Sequence, residues 1–246
     1  MATAMPAAGT RPRSRRRAAD LMTDAAPAFP SPNFGDRRGG QTPRLIVLHY
    51  TAMATCAAAR ERLCDPAAEV SAHWLIAEDG TAEALVPEPA RAWHAGAGSW
   101  GTCHDVNSAS IGIELANPGD RPFPEPQMAA LERLLAGVMA RWTIAPSGII
   151  AHSDMAPGRK SDPGPRFDWR RLALAGLSVW PEAGAADADE AAFHAGLTRF
   201  GYPADASPPA LLQAFRLRFR PWASGPLAAA DCALAADLAR RWPAAG

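Results

Sequence analysis

The sequence of 246 residues has no excess of charge of either sign and no long hydrophobic run. Its 25 basic and 25 acidic side chains cancel, so it lacks the positive field that favours nucleic acid or an anionic membrane surface as a partner. No apolar run approaches the roughly 18 residues that a membrane-spanning helix needs. We therefore expect neither a nucleic-acid partner nor a membrane span.

Two further absences concern the cellular compartment. The four cysteines show neither C-x-x-C spacing nor a disulfide framework, and we expect small buried or half-buried thiols at Cys56, Cys64, Cys103 and Cys232. The arginine-rich stretch at 11–17 is not followed by the roughly 7–15 apolar residues of a secretory signal. Both absences favour a reducing, cytoplasmic compartment.

The composition predicts a folded protein with more than one part. Hydrophobic residues make up 48% of the chain and charged residues 20%, which is enough for a real core. The length favours one large domain and a small one. We expect a disordered arm at 1–30, an α/β domain with a mixed central β-sheet flanked by helices at 31–180, a linker at 181–192 and a three-helix domain at 193–246.

Hydrophobic patterns predict the main elements of the larger domain. The apolar run at 44–49 predicts a buried strand, and the alternation of apolar residues at 110–115 predicts another. An apolar stripe at spacings of three and four predicts a helix over 125–142. A shorter helix is expected over 55–64 with Thr55 as its cap, and a hairpin turn is expected at Asp79-Gly80.

The most informative segment is Ile149–Pro165, which reads I-I-A-H-S-D-M-A-P-G-R-K-S-D-P-G-P. It places His152, Lys160 and Asp162 around a proline- and glycine-rich loop that we predict to be too irregular for a helix. A second histidine, His49, ends the apolar run L-I-V-L-H-Y-T. Catalytic zinc sites use three such imidazole and carboxylate ligands and leave a fourth position for water. We therefore predict a metal site made of the two histidines and the aspartate.

Metal-assisted hydrolysis also needs a base near the water and positive charge near the developing oxyanion. Glu114 is the candidate base because it is a charged residue in an otherwise apolar strand; the alternative is an ordinary solvent-facing residue. Lys160 is the candidate cation because it lies two residues before Asp162; the alternative is a solvated loop lysine. For each histidine taken alone, the alternative is an ordinary core or surface imidazole.

Five motifs in the same order resemble one known family. The segments L-I-V-L-H-Y-T, S-A-H-W-L-I, A-W-H-A-G, N-S-A-S-I-G-I-E-L and H-S-D-M-A-P-G-R-K-S-D-P-G-P look like those of the zinc-dependent N-acetylmuramoyl-L-alanine amidases. That family includes phage amidase lysozymes and peptidoglycan recognition proteins. The resemblance covers about residues 31–180 and extends to the anhydro-muropeptide and outer-membrane-lipoprotein types of bacterial amidase.

The resemblance implies a role for each candidate residue. His49, His152 and Asp162 would hold Zn²⁺, Glu114 would act as general base, and Lys160 would stabilise the oxyanion. The implied reaction is hydrolysis of the amide between the lactyl group of N-acetylmuramic acid and L-alanine. The substrate would be peptidoglycan or its anhydro-muropeptide fragments, in cell-wall turnover or recycling.

Further histidines and their neighbours lie within the family motifs. We expect Trp93, His94 and Asn107 at the rim of the cleft as substrate contacts, whereas His104 and His194 are expected on the surface.

The C-terminal segment A-L-L-Q-A-F-R-L-R-F-R-P is similar to three-helix peptidoglycan-binding domains appended to such amidases. Its helices are predicted at about 188–200, 208–219 and 228–241, with Ser207 as the cap of the second. The alternative is an appendage that packs against the catalytic domain and stabilises it. The sequence leaves both interpretations open.

Other functions are weighed against an active amidase. One is a non-catalytic muropeptide-binding or sensing protein of the same fold, and another is a zinc amidase that acts on a non-murein amide. The complete set of metal and acid–base residues favours the active enzyme. The missing signal favours anhydro-muropeptides as substrates, while a wall-binding domain favours polymeric peptidoglycan; the oligomeric state is left open.

Overall fold

The computed structural model describes residues 29–182 and 184–244. The arm predicted at 1–30 therefore lies outside the described residues, apart from Phe29 and Pro30. The described residues form seven strands: β1 (Phe34–Gly35), β2 (Leu45–Tyr50), β3 (Trp74–Ile76), β4 (Ala82–Ala84), β5 (Arg91–Ala92), β6 (Ser110–Leu115) and β7 (Ile149–Ala151). They also form eight helices: α1 (Cys56–Cys64), α2 (Val106–Ala109), α3 (Glu125–Trp142), α4 (His152–Met155), α5 (Trp169–Leu174), α6 (Glu190–Phe200), α7 (Pro208–Phe219) and α8 (Ala229–Arg241).

A five-stranded mixed sheet forms the centre of the fold, as predicted. Its strands follow the order β4-β3-β6-β2-β7. Strands β3, β6, β2 and β7 are parallel, and β4 pairs with β3 in antiparallel direction through the predicted hairpin. Strands β1 and β5 form a separate antiparallel pair. Because parallel strands end at the same edge, residues that follow β2, β6 and β7 meet there.

Each face of the sheet is covered by different helices. On one face, Ile46, Leu48 and Ile111 pack with the apolar stripe of α3, whose bounds match the predicted helix. On the other face, Leu45 and Val47 lie in one hydrophobic cluster with residues of the C-terminal helices. This division follows from the alternation of side chains along a strand.

The three C-terminal helices share their core with the sheet. Phe193 of α6, Phe215 of α7 and Leu238 of α8 belong to the cluster that contains Val47 of β2. Helix α6 begins at Glu190, so the predicted linker boundary at 192 lies inside a helix. The division into separate domains and the role of these helices stay predictions; the structure shows that the helices pack against the sheet.

Local sequence signals agree with most, but not all, of the helix ends. Thr55 accepts a hydrogen bond from the Ala58 N–H and caps α1 as predicted. Ser207 occupies the cap position of α7, but its side chain makes no capping hydrogen bond. The prediction that no helix forms in Ile149–Pro165 is wrong at its beginning, because His152 starts the single turn α4.

Two further features concern the cysteines and the length of the helices. All four thiols are free, and Cys103 and Cys232 are buried while Cys56 and Cys64 are half-buried. Among residues 29–182 and 184–244, no helix is long and apolar enough to cross a membrane.

Candidate active site

The parallel register of the sheet brings three candidate residues to one edge. His49 of β2 pairs directly with Glu114 of β6. Leu48 pairs with Ala151 at the end of β7, so His152 follows that strand beside His49. Two strands and one turn therefore present both imidazoles and the glutamate at the same edge, although they are distant in sequence.

Three ligand atoms converge at this edge. The Nδ1 atoms of His49 and His152 lie 2.9 Å apart. Oδ2 of Asp162 lies 3.0 Å from the first nitrogen and 2.9 Å from the second. Two imidazoles and a carboxylate are a donor set that catalytic metal sites use. The described residues thus contain one buried group that can hold a metal ion, and it consists of the three predicted ligands.

Burial and hydrogen bonding determine the protonation of His49 and Asp162. Removal from water, reinforced by the neighbouring His152, lowers the pKa of His49 to about 4, so its imidazole is neutral at pH 7. Burial alone would raise the pKa of Asp162, but hydrogen bonds from the two imidazoles lower it well below the usual range. A neutral imidazole and an ionised carboxylate are the forms that bind a metal ion.

A chain of hydrogen bonds fixes the orientation of His49. Its Nε2 lies 3.0 Å from Nδ1 of His94, and Nε2 of His94 lies 3.2 Å from the Ser110 hydroxyl. That hydroxyl donates to the carbonyl of Val106 at 2.5 Å. If Nδ1 of His49 holds a metal, its Nε2–H donates to His94, and every donor in the chain then finds an acceptor.

The second imidazole ligand is held by a backbone carbonyl. Nε2 of His152 lies 2.9 Å from the oxygen of Ala95. This leaves Nδ1 of His152 free for the metal. The same carbonyl accepts a hydrogen bond from Arg159 at 2.8 Å, a contact that the sequence did not reveal.

The structure places the expected substrate contacts differently. His94 is buried next to His49 but lines the cleft, whereas Asn107 is buried away from it. The side-chain oxygen of Asn107 accepts the N–H groups of His94 and Ala95 at 3.0 and 2.9 Å. Asn107 therefore holds the segment behind the ligands, and its expected position at the rim is wrong. Trp93 is half-buried and does line the cleft.

The candidate base lies beside the ligands in an unusual environment. Oε2 of Glu114 is shielded from solvent and has no hydrogen-bond partner among the described residues. Burial, together with the nearby Asp162, raises the pKa of this carboxyl to about 8, although Lys160 acts in the opposite direction. Such a carboxyl is ready to exchange a proton near neutral pH.

The ligands open onto a cleft of about 330 Å³. Lys160 is exposed and lines this cleft, and its role as the candidate cation stays a prediction. The structure adds wall residues that the motifs did not single out, among them Arg62 of α1 and Tyr50, whose hydroxyl lies 2.9 Å from that of Ser161. A half-buried cleft that contains several polar groups is typical of a small-molecule site.

The remaining histidines have no contact with the ligands. His73 is fully buried; its Nδ1 accepts the Gly112 N–H at 2.9 Å, and its Nε2 lies 3.1 Å from the Ala90 carbonyl. His104 is exposed and His194 is half-buried, and neither lines the cleft beside the ligands.

A family profile, a curated sequence and a solved structure that are similar to this chain all belong to amidases. A profile of the N-acetylmuramoyl-L-alanine amidase family matches residues 39–165. The N-acetylmuramoyl-L-alanine amidase AmiD of Escherichia coli (strain K12) is 35% identical over 216 residues, which cover 72% of this chain and 75% of AmiD. The structure of E. coli AmiD with the substrate anhydro-N-acetylmuramic acid-L-Ala-D-γ-Glu-L-Lys matches with a TM-score of 0.74 and 31% identity, covering 85% of this chain and 98% of that one.

A second solved structure agrees. AmpDh3 from Pseudomonas aeruginosa, in complex with anhydromuramic pentapeptide, matches with a TM-score of 0.72 and 30% identity. The match covers 87% of this chain and 96% of that one. The chain belongs to the N-acetylmuramoyl-L-alanine amidase family.

Proposed function

We propose that this chain is a zinc enzyme that hydrolyses the amide bond between N-acetylmuramic acid and L-alanine in muropeptides. The observation that supports this most strongly is the convergence of three ligand atoms next to a shielded carboxylate oxygen of Glu114, which has no hydrogen-bond partner within the described part of the chain. A binding or sensing protein could use the three metal-ligating side chains only to shape its binding site. It would not need the carboxyl of Glu114 beside them.

Each side chain has a task that follows from its position. His49, His152 and Asp162 would hold zinc, which when bound supplies a Lewis acid and acidifies a water molecule. Glu114 takes the proton of the attacking water and returns it to the departing amine of L-alanine. Lys160 offsets the negative charge that develops on the carbonyl oxygen of the lactyl group.

The proposed substrate is an anhydro-muropeptide. This proposal is supported by the ligands of the two related structures, which are an anhydro-N-acetylmuramic acid tripeptide and an anhydromuramic pentapeptide. The cleft also contains three cationic side chains, Arg62, Arg159 and Lys160, which suit the carboxylates of a stem peptide.

We also infer a reducing, cytoplasmic compartment, which rests on the four free thiols.

A comparison of substrates tests this proposal. Zinc-loaded protein is incubated in parallel with anhydro-muramoyl tripeptide and with intact sacculi, and released peptide is measured by mass spectrometry. We expect peptide with a free L-alanine amine, released faster from the anhydro-muropeptide. No product from either substrate, with zinc fully bound, would favour a muropeptide-binding protein. Turnover of other acyl-peptides alone would favour the non-murein amidase.

A further inference from the structure

A fully buried ion pair joins the C-terminal helices to the turn that contains His152. Asp154 of α4 and Arg218 of α7 are 64 residues apart, and neither side chain is exposed to solvent. Oδ1 of Asp154 also accepts the hydroxyl of Tyr202 at 2.5 Å. Two groups from the C-terminal helical part thus converge on one carboxylate beside the metal site.

The carboxylate of Asp154 in turn fixes the backbone of its own turn. Its Oδ2 accepts the N–H of Ala151 at 2.9 Å, and Ala151 directly precedes His152. Arg218 also donates to the carbonyl of Ile149 at 3.0 Å, at the start of the edge strand β7. The guanidinium of Arg218 and the carboxylate of Asp154 therefore fix the backbone of the residues that directly precede His152.

The same turn determines where the third ligand lies. The N–H of Ser153 donates to the carbonyl of Asp162 at 3.0 Å. At the other end of α4, the carbonyl of Met155 accepts the N–H of Ser99. A shift of this turn would therefore move His152 and Asp162 together relative to His49.

The surroundings of the pair exclude water. The guanidinium of Arg218 lies over the ring of Trp169, with its carbon 4.2 Å from the ring centroid. The ring of Tyr202 packs against Trp100, with centroids 5.3 Å apart. A buried pair gives little net stability compared with apolar packing, because both charges lose their hydration. The more specific effect of this ion pair is to hold Asp154 and Arg218 in one relative position.

We propose that Asp154, Arg218 and Tyr202 are positioning residues for the metal centre. Arg218 and Tyr202 hold the carboxylate of Asp154, and this carboxylate fixes the turn that directs Nδ1 of His152 towards His49 and Asp162. The C-terminal helices thereby serve the site directly. The inference rests on the proposed role of His152 as a metal ligand.

Helix α7 offers a matched control for this test. Arg216 lies two residues before Arg218 and pairs with the buried Asp231 of α8 at 2.6 Å. Its other side-chain hydrogen bonds go to the carbonyls of Gly225 and Pro226, so all of its hydrogen-bond partners lie in the C-terminal part. Arg216→Met removes one of the two arginines that pair with Asp231, the other being Arg220, and it leaves the hydrogen bonds of α4 in place.

The experiment compares full-length Tyr202→Phe, Arg218→Met and Arg216→Met with the wild type. Zinc affinity is measured by chelator competition, the visible spectrum is recorded with Co²⁺, and melting temperature, kcat and KM are determined. We expect Tyr202→Phe and Arg218→Met to weaken zinc binding by about 10- to 100-fold, alter the Co²⁺ spectrum and lower kcat more than they change KM. Arg216→Met should lower the melting temperature and leave zinc affinity and spectrum unchanged.

The outcomes separate this inference from the proposed function. If Tyr202→Phe and Arg218→Met lower the melting temperature as Arg216→Met does but keep wild-type zinc affinity and spectrum, the positioning role is wrong. If Arg218→Met does not fold, Tyr202→Phe decides, because it removes a single hydroxyl. Wild type that binds zinc without cleaving muropeptides contradicts the proposed function alone. Wild type that binds no zinc contradicts both.

Discussion

Gly112 lies directly beneath the imidazole of His94: a Cβ atom at Gly112 would come within 2.4 Å of that ring. Gly112 does not have a positive φ, so the backbone itself accepts other residues and only the ring requires a glycine. The absent side chain lets His94 lie over the sheet and reach Nε2 of His49. The glycine of the S-I-G-I-E-L strand thus belongs to the metal site.

Gly112→Ala is therefore expected to displace His94 and weaken the support of His49. Zinc affinity should fall by about 10- to 100-fold, the usual cost of losing an outer-shell hydrogen bond. Gly137→Ala is the control, because an added Cβ there meets only the flexible end of Arg141. In the middle of α3, that change should stabilise the protein by about 0.5–1 kcal/mol. Chelator competition that gives wild-type affinity for Gly112→Ala would contradict the proposed role of His94.

Glu114 and His152 should respond to substitution in different ways. Glu114→Gln keeps the ligands and removes the base, so we expect full zinc content and a fall in kcat of about 100- to 10,000-fold. His152→Ala removes a ligand and should lose the metal itself. Zinc content after desalting, measured with turnover, distinguishes them. Equal loss of zinc in both variants would refute the separate roles.

Lys160→Met should lower kcat by about 100- to 1,000-fold, the range found for loss of one oxyanion-stabilising group. The KM of this variant should change less than its kcat, because the negative charge that Lys160 offsets develops only during the reaction. Arg166→Met removes an exposed cation from the same loop, outside the cleft, and should have nearly wild-type kcat. Steady-state kinetics of both variants check this, and equal effects would assign Lys160 only a general electrostatic role.

The raised pKa of Glu114 predicts how pH affects the metal-free protein. The carboxyl has a pKa of about 8 in the fold against an ordinary 4.5, so between these values the folded protein keeps a proton that the unfolded chain has lost. The free energy of unfolding contributed by Glu114 therefore falls as the pH rises through this window. Between about pH 5 and about pH 8, the melting temperature of metal-free Glu114→Gln should rise relative to that of the metal-free wild type. A constant difference would contradict the shifted pKa.

The sequence predicted those features that depend on local pattern or on residue chemistry. The apolar stripe of α3 and the alternation of β6 determine which face of each element is buried, and both are visible in the sequence. The three ligand candidates could be found because few side chains bind a catalytic metal and because each histidine ends an apolar strand.

The features that were missed depend on contacts through space. The single turn α4 forms within a loop rich in proline and glycine because Asp154 accepts the N–H of Ala151 and Arg218 pairs with that carboxylate from 64 residues away. Likewise, Asn107 holds the backbone of His94 rather than facing the cleft. Contacts between residues that are distant in the sequence cannot be predicted from its hydrophobic periodicity.

Hydrolysis of anhydro-N-acetylmuramic acid-L-Ala-D-γ-Glu-L-Lys in water labelled with ¹⁸O tests the central proposal most directly. Zinc-loaded wild type should release the tripeptide unlabelled and place one ¹⁸O atom in the lactyl carboxylate of the sugar. Glu114→Gln with equal zinc content should leave the substrate intact over the same time. Intact substrate with wild type, or label in the alanine carboxylate of a muramoyl-L-alanine product, would contradict an amidase that cleaves between muramic acid and L-alanine.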